Sequence, residues 1–225
     1  MNKNILVVAA HPDDEVLGCG GTIARLAGEG YRVEVLILGE GITSRDKSRG
    51  DGQERKLLSL KRDSRAANRV LKVHTVTFYD FPDNKFDSVP LLDIVKTVEK
   101  VKRSINPGIV FTHYGYDLNV DHRITFQAVL TATRPMGKEP VKDIYAFETL
   151  SSTEWGFHRS FDPDCFFDIS ATIKTKLRAM SEYTGELEKF PHPRSLRGIE
   201  INAAYRGMQS GSRFAEAFRL IRMRK

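Results

Sequence analysis

Cysteine is scarce in this sequence. Only two cysteines occur among 225 residues, Cys19 and Cys165, and they lie far apart along the chain. So few cysteines exclude a disulfide framework, and the pair does not have the close spacing of a zinc finger. We therefore expect both to be packed free thiols.

Long apolar runs are also missing. The apolar segment nearest the N-terminus, residues 5–8, is far too short to cross a bilayer, and no basic region followed by a long apolar stretch precedes the first helix. We expect no membrane span and a cytoplasmic protein. Repeats, low-complexity tracts and linkers are absent as well, so residues 1–225 are expected to form a single domain.

The net charge is positive, but the basic residues are not concentrated in one region. The chain carries 35 lysines and arginines against 29 acidic residues, a formal net charge of +6. Loose basic groups occur at 45–49, 55–69 and 219–225 without a zinc finger, a basic zipper or an aromatic RNA-binding pattern. We expect most of them to be solvated, some to attract an anionic substrate, and no nucleic-acid partner.

Short apolar runs alternate with amphipathic segments along most of the chain. Strands are predicted at 4–9, 32–38, 75–78, 109–112, 143–147 and near 166, and helices at 14–27, 53–71, 89–105, 121–134, 171–183 and 193–207. This alternation is typical of an α/β fold with a Rossmann-like, mostly parallel sheet flanked by helices. Beyond Ser151 the pattern is mixed, which predicts a small C-terminal α+β cap, and residues 215–221 fit a strand or a helix. The polar segment 39–52 is long enough to be a functional loop.

A histidine and three carboxylates follow the first predicted strand, in the sequence Ala10-His11-Pro12-Asp13-Asp14-Glu15. Ligands of open α/β sheets bind at the carboxyl ends of the strands, where this motif lies. Imidazole and carboxylate together are a ligand set for zinc or a similar divalent ion, and a spare carboxylate can serve as a general base. The alternative is an ordinary helix start, since the helix dipole favours acidic residues there in any case.

Residues 113–123 again combine histidine and aspartate after a predicted strand. If the two strands are neighbours across the switch point of the sheet, both motifs face one crevice. His11, Asp14 and His122 would then supply three ligands and leave a fourth position for water, as in catalytic zinc sites. Asp121 fits a supporting role, because metal-bound imidazoles usually donate their other N–H to a carboxylate or a carbonyl.

The sequence Gly18-Cys19-Gly20-Gly21 invites comparison with a dinucleotide-binding motif. These glycines lie about one turn inside the predicted helix, after three acidic residues that would repel a pyrophosphate. We interpret them as sites of close packing against the sheet, and we expect no nucleotide cofactor.

The two histidine motifs resemble the paired signatures of the PIG-L/LmbE-like family. The second signature is Asp117-Leu118-Asn119-Val120-Asp121-His122, and further similarity at 81–84, 147–155 and 206–218 extends the resemblance over nearly the whole chain. Members of this family are zinc-dependent de-N-acetylases of N-acetylglucosaminyl compounds, including a phosphatidylinositol conjugate and bacterial thiol precursors. The resemblance implies one zinc ion per chain on His11, Asp14 and His122, or another divalent ion such as Fe²⁺. It also implies that Asp13 is the general base.

One position departs from the family pattern. Many members have a second histidine three residues before the last ligand, where this chain has Asn119. An asparagine can donate to an oxyanion but cannot act as a general acid. Either Asp13 moves the proton in both directions, or another group such as His113 compensates. Asn119 and Asp121 are predicted to support catalysis beside Asp13.

The resemblance also implies contacts with the substrate. Asp83 is a candidate for binding sugar hydroxyls, Arg55 for binding an anionic part such as a phosphate or nucleotide, and Glu148 for lining the pocket. The alternatives are a turn residue for Asp83, an exposed helix residue for Arg55 and a strand end for Glu148. Because trimers and hexamers are common in the family, a homo-oligomer is expected.

The predicted function is therefore removal of the acetyl group from an N-acetylamino sugar. Two other functions remain open at this point. One is a metal-dependent amidase that acts on larger amide conjugates, and the other is a small-molecule binding protein without chemistry.

Overall fold

The computed structural model describes residues 2–42 and 51–225, with only the backbone of Asp51 and Gln53. Its strands are β1 (Asn4–Ala9), β2 (Arg32–Gly39), β3 (Thr75–Phe81), β4 (Ile109–His113), β5 (Asp143–Phe147), β6 (Cys165–Asp168) and β7 (Ala215–Arg222). Its helices are α1 (Asp14–Gly28), α2 (Asp51–Val70), α3 (Leu91–Ile105), α4 (Val120–Ala132), α5 (Ile173–Glu182) and α6 (Leu196–Ser210), and short 3₁₀ turns occur at Phe86–Ser88 and Thr153–Trp155. The functional loop predicted at 39–52 falls largely on 43–50, which lie outside the described residues.

All seven strands form one sheet in the order β3-β2-β1-β4-β5-β7-β6. The first five run parallel, and β7 lies antiparallel to both β5 and β6. The predicted α/β class with a mostly parallel sheet is confirmed. Its C-terminal α+β part is continuous with this sheet, because β6 and β7 extend the edge beside β5. These two pairings also explain why residues 215–221, which fit either structure in sequence, form a strand.

Helices cover both faces of the sheet and enclose two apolar layers. Along β1, Ile5 and Val7 pack into the layer shared with α1 and α5, whereas Leu6 and Val8 pack into the layer shared with α3 and α4. All four side chains are buried, which explains the continuous apolar run in the sequence of this strand. No helix among residues 2–42 and 51–225 is long and apolar enough to span a membrane.

The glycine cluster of α1 marks close packing and a break in the helix. Cys19, a buried free thiol, leaves the helical conformation with φ −146°. A Cβ atom on Gly18 would lie 2.2 Å from the Phe147 ring, so only glycine allows α1 to approach β5 this closely. After the break, the Gly21 N–H donates to Oε1 of Glu216 at 2.8 Å, and this carboxylate caps the second part of the helix. The predicted packing against the sheet is confirmed for Gly18, whereas Gly21 packs on Ile169, which follows β6.

Candidate metal centre

The ends of two neighbouring strands bring the predicted ligands together. His11 and Asp14 follow β1, and His122 lies in the first turn of α4, after the adjacent strand β4. Oδ2 of Asp14 lies 3.3 Å from Nε2 of His122 and 3.5 Å from Nδ1 of His11. All three side chains are buried, and each offers a ligand atom within 4.8 Å of the others. These residues can therefore hold a divalent ion.

Each of the two imidazoles has a second carboxylate beside the ring nitrogen that points away from Asp14. Nε2 of His11 lies 2.9 Å from Oδ2 of Asp121, and Nδ1 of His122 lies 3.1 Å from Oδ1 of Asp117. In each ring the other nitrogen is the one that faces Asp14. Metal-bound imidazoles are usually oriented in this way by a carboxylate on the remote nitrogen. The donor set and its supporting carboxylates therefore fit a metal site.

Asp83 and Asp121 form a second cluster with His11, which needs to be distinguished from the first. Oδ1 of Asp83 lies 3.3 Å from Nε2 of His11. However, both carboxylate oxygens of Asp121 already accept backbone N–H groups, from Asn84 at 2.7 Å and from Phe86 at 2.9 Å. An aspartate engaged in this way is suited to orienting His11, so of the two clusters His11, Asp14 and His122 are the better candidates for holding a metal.

The charges of the cluster shift the pKa values of its members in opposite directions. Burial by itself lowers the pKa of His11, but hydrogen bonds to Asp121 and Asp14 outweigh burial and raise it to about 10. Burial likewise lowers the pKa of His122, but Asp14 and Asp117 raise it to about 9. Burial raises the pKa of Asp14, yet His122 and the other histidines hold it well below its usual range. In the metal-free protein the cluster is therefore a set of ion pairs.

Asp13 lies beside the ligands in an unusual backbone conformation. Its φ is +104°, and its N–H donates to Oε2 of Glu15 at 3.1 Å. Its buried carboxylate is 3.3 Å from Nη1 of Arg194. Burial, together with the charges of Asp14 and Glu186, raises the pKa of Asp13 well above its usual range, and Arg194 opposes this shift. The arrangement gives the carboxylate a raised affinity for a proton.

Asn119 occupies the position where many family members have a histidine. It is the N-cap of α4, and its Oδ1 accepts the Asp121 N–H at 2.8 Å. Its Nδ2 donates to Oδ1 of Asn84 at 2.9 Å. The Asn119 amide group therefore caps α4 with its oxygen and contacts Asn84, another residue of the cleft wall, with its nitrogen.

His113, the alternative proton donor, is fully buried behind His122. Its ring stacks on that of His122 with centroids 3.9 Å apart. Nε2 of His113 accepts the Ala10 N–H at 2.9 Å, and Nδ1 lies 3.2 Å from Oγ1 of Thr149. Burial and the nearby His122 lower the pKa of His113 to about 4. Both ring nitrogens are occupied within the protein, which disfavours His113 as the group that protonates a leaving amine.

A cleft of about 200 Å³ opens over the cluster. Its wall contains the predicted residues His11, Asp13, Asp14, Asp83, Asn119 and His122. Glu148 lies outside this wall and forms a two-pronged ion pair with Arg206, with N–O distances of 2.8 and 2.6 Å. Arg55 is exposed on α2 and does not line the cleft. The substrate contacts of Arg55 and Glu148 stay predictions without support from this geometry.

Three residues of the site, Asp117, Glu186 and Arg194, have no role in the sequence prediction. Asp117 stands within the second motif, and its spacing of five residues before His122 was an available signal. Ser152 and Thr153 donate hydrogen bonds to its carboxylate. Arg194 and Glu186 line the cleft from the connection between α5 and α6, where no local pattern marks them. A separation of 181 residues between Asp13 and Arg194 hides their contact from the sequence.

Comparisons with known proteins agree with this architecture. A family model described as PIG-L, GlcNAc-PI de-N-acetylase, matches residues 6–133. Diacetylchitobiose deacetylase of Thermococcus kodakarensis is 31% identical over 231 residues, covering 97% of this chain and 83% of that protein. The 4-oxalmesaconate hydratase of Pseudomonas putida is 30% identical over 202 residues, covering 82% of this chain and 74% of that protein. The structure of N,N'-diacetylchitobiose deacetylase from Pyrococcus horikoshii has the same fold, with a TM-score of 0.78 at 20% identity. The match covers 98% of this chain and 84% of that one.

Proposed function

Because the chain belongs to the PIG-L family, whose model matches more than half of it, we propose that it is a metal-dependent de-N-acetylase of an N-acetylamino sugar. The observation that carries the proposal is the convergence of His11, Asp14 and His122 beside the buried carboxylate of Asp13. Nitrogen and carboxylate ligands of this kind are those of catalytic zinc sites. We propose one zinc ion per chain, with Fe²⁺ as the alternative.

A divalent ion on these ligands would act as a Lewis acid toward the acetyl carbonyl and make a nearby water more acidic. Asp13 is the general base that takes the proton of this water. It can do so because Asp14, and not Asp13, faces the two imidazoles. Since position 119 provides no acid, Asp13 then returns the proton to the amine that leaves.

The remaining predicted residues have distinct parts in this scheme. Asn119 offers its Nδ2 to the negative charge that develops on the acetyl oxygen, and Asp121 orients His11. Asp83, which is 3% exposed at the wall of the cleft, binds a sugar hydroxyl. The described wall contains four carboxylates against one guanidinium, and a divalent ion would leave it a small net negative charge, which favours an uncharged sugar over one that carries a phosphate or nucleotide. A cytoplasmic location and a homo-oligomer remain predictions from the sequence.

The proposal is tested by measuring metal content and acetate release on the same purified sample. N-acetylglucosamine and diacetylchitobiose are the uncharged probes, and N-acetylglucosamine 1-phosphate is the anionic one. We expect about one metal ion per chain and acetate release from at least one uncharged probe. His11→Ala and His122→Ala should lose the metal, whereas Asp13→Asn should keep it and lose turnover by about 10²-fold or more.

His74→Ala is the matched control, because His74 is exposed at the start of β3, the end of the sheet opposite to the cleft. It should keep both metal and turnover. Equal metal loss in Asp13→Asn and His11→Ala would reject Asp13 as the base. Metal binding without acetate release would count against a de-N-acetylase, and release of larger acyl groups would indicate an amidase. Addition of water to 4-oxalmesaconate would place the chain with its hydratase relative.

A further inference from the structure

The described wall of the cleft contains one guanidinium, that of Arg194. Its Nη1 lies 3.3 Å from Oδ2 of Asp13 and 3.1 Å from Oε2 of Glu186. Both carboxylates are buried, and the Arg194 side chain is 22% exposed. The guanidinium therefore bridges the proposed base and a second carboxylate at the edge of the cleft.

Arg194 extends from a backbone that is tightly held. Its N–H donates to Nδ1 of His192 at 3.2 Å, and the Ser195 N–H donates to the His192 carbonyl at 3.0 Å. Ser195 caps α6 by accepting the Gly198 N–H at 2.9 Å. A Cβ atom on Gly198 would lie 2.6 Å from the carbonyl oxygen of Pro193, so this turn packs directly on the start of α6. The rigid turn defines where the guanidinium is presented.

Asp13 needs such a contact because its other hydrogen bonds with the described residues all act on its main chain. Its φ of +104° and the hydrogen bond from its N–H to Glu15 determine the backbone. They do not determine the rotation of the carboxylate. A general base must be held within hydrogen-bond reach of the proton that it removes, and a small displacement greatly lowers the rate.

We propose that Arg194 is a positioning residue for Asp13, whose carboxylate it holds beside the metal ligands, and that Glu186 in turn holds Arg194. This role rests on the proposed function, in which Asp13 is the base. It differs from substrate binding, which would affect KM, and from simple structural support, which would affect unfolding. Positioning of the base affects kcat.

Replacement of Arg194 by alanine tests the proposal with the metal-loaded protein. We expect kcat for acetate release to fall about 10²-fold, with KM changed less than about threefold. Metal content should equal that of the wild type. Methylguanidinium added to Arg194→Ala should restore at least about a tenth of the lost kcat by occupying the vacated position, whereas methylammonium at the same ionic strength should not. Arg194→Lys, which keeps the charge on a shorter side chain of different shape, should have a kcat between those of the wild type and Arg194→Ala.

Arg197→Ala is the matched control, because Arg197 is exposed on the first turn of α6 and stacks on Phe190. It should retain wild-type kcat. The proposal is overturned if Arg194→Ala keeps its kcat, if only KM rises, or if methylguanidinium gives no rescue. A wild-type protein that binds metal but releases no acetate would reject the proposed function, and the role of Arg194 with it. That failure shows in the wild type, so it is distinct from failure of Arg194 alone.

Discussion

Nε2 of His11 lies 2.9 Å from Oδ2 of Asp121, a residue 110 positions later in the chain. The contact joins the first histidine motif to the second, because Asp121 immediately precedes the ligand His122. It also leaves Nδ1 of His11 to face Asp14. Backbone N–H groups of Asn84 and Phe86 hold the Asp121 carboxylate in place. The geometry of one ligand thus depends on a residue from the neighbouring strand-to-helix junction.

Asp121→Asn should weaken metal affinity by about 10–100-fold, because an amide has one acceptor oxygen where the carboxylate has two. The variant must lose its hydrogen bond with the His11 imidazole or one of its two hydrogen bonds with the backbone N–H groups of Asn84 and Phe86. Competition with a chromophoric chelator measures the affinity. Asp87→Asn serves as the control, since Asp87 is exposed one residue after Phe86. Equal affinities of the two variants would contradict an orienting role for Asp121.

Metal binding at pH 7 should release about two protons. In the metal-free protein, the carboxylates around His11 and His122 raise their pKa values to about 10 and about 9, so both rings are protonated at this pH. A metal requires the neutral rings, and its apparent affinity should therefore rise with pH, less steeply above about 9, up to about 10. Calorimetric titration in buffers of different ionisation enthalpy counts the protons. Binding without proton release would show that these ion pairs do not form.

The same raised pKa values predict how the stability of the metal-free protein depends on pH. A histidine whose pKa is higher in the folded state stabilises that state fully below its unfolded pKa of about 6.5. The contribution of His11 and His122 is then lost as pH rises through about 9 and about 10. Urea unfolding of the chelator-treated protein between pH 6 and 10 measures this loss. Metal-loaded protein is the control, because its histidines are already neutral.

Much of the fold and the convergence of the candidate metal ligands could be predicted from local sequence. The apolar run of β1 and the acidic helix start after it place His11 and Asp14 at a strand end, and the same pattern places His122. Parallel strands bring their carboxyl ends to one edge, so two local motifs sufficed to predict their convergence. The strand β7 was ambiguous, because only its pairing with β5 and β6 distinguishes it from a helix.

Contacts made by charged residues far apart in sequence could not be predicted in this way. Arg194 reaches Asp13 across 181 residues, and Glu148 is bound by Arg206 across 58 residues. An isolated arginine or glutamate has no periodic pattern that would reveal its partner. Glu148 illustrates the consequence, because its place at a strand end near the site also fits a substrate contact. Its ion pair with Arg206 becomes visible only when α6 is packed against the sheet.

Asn119 has two functions that substitutions can separate. Aspartate at this position keeps the cap of α4 but removes the Nδ2 donor and its hydrogen bond to Oδ1 of Asn84, so Asn119→Asp should lower the free energy of unfolding by about 0.5–1.5 kcal/mol through that bond. Its kcat for acetate release should fall about 10²-fold through loss of a donor in the cleft. Asn119→Ala loses the cap as well and should be about 1 kcal/mol less stable than Asn119→Asp. Denaturant unfolding and initial rates measure the two effects. Full activity of Asn119→Asp would show that the amide does not contact the reacting group.

Gly18→Ala should weaken both the fold and the metal centre. The new Cβ would lie 2.2 Å from the Phe147 ring, and such overpacking typically costs about 1–3 kcal/mol. A displaced Phe147 ring would push on His113, because the centroids of these two rings lie 4.8 Å apart. His113 would in turn displace the candidate ligand His122, on which it stacks with centroids 3.9 Å apart. We therefore expect lower unfolding free energy in the metal-free protein and weaker metal binding.

Gly28→Ala, at the end of the same helix, is the control for this substitution. No atom lies within 4 Å of its added Cβ, so the variant should be neutral or more stable by about 0.4–1 kcal/mol. Urea unfolding with and without metal separates loss of stability from loss of affinity. If Gly18→Ala unfolds like Gly28→Ala, the close approach of α1 to β5 is not required. If it is less stable but binds metal normally, the stacked rings do not transmit the displacement to His122.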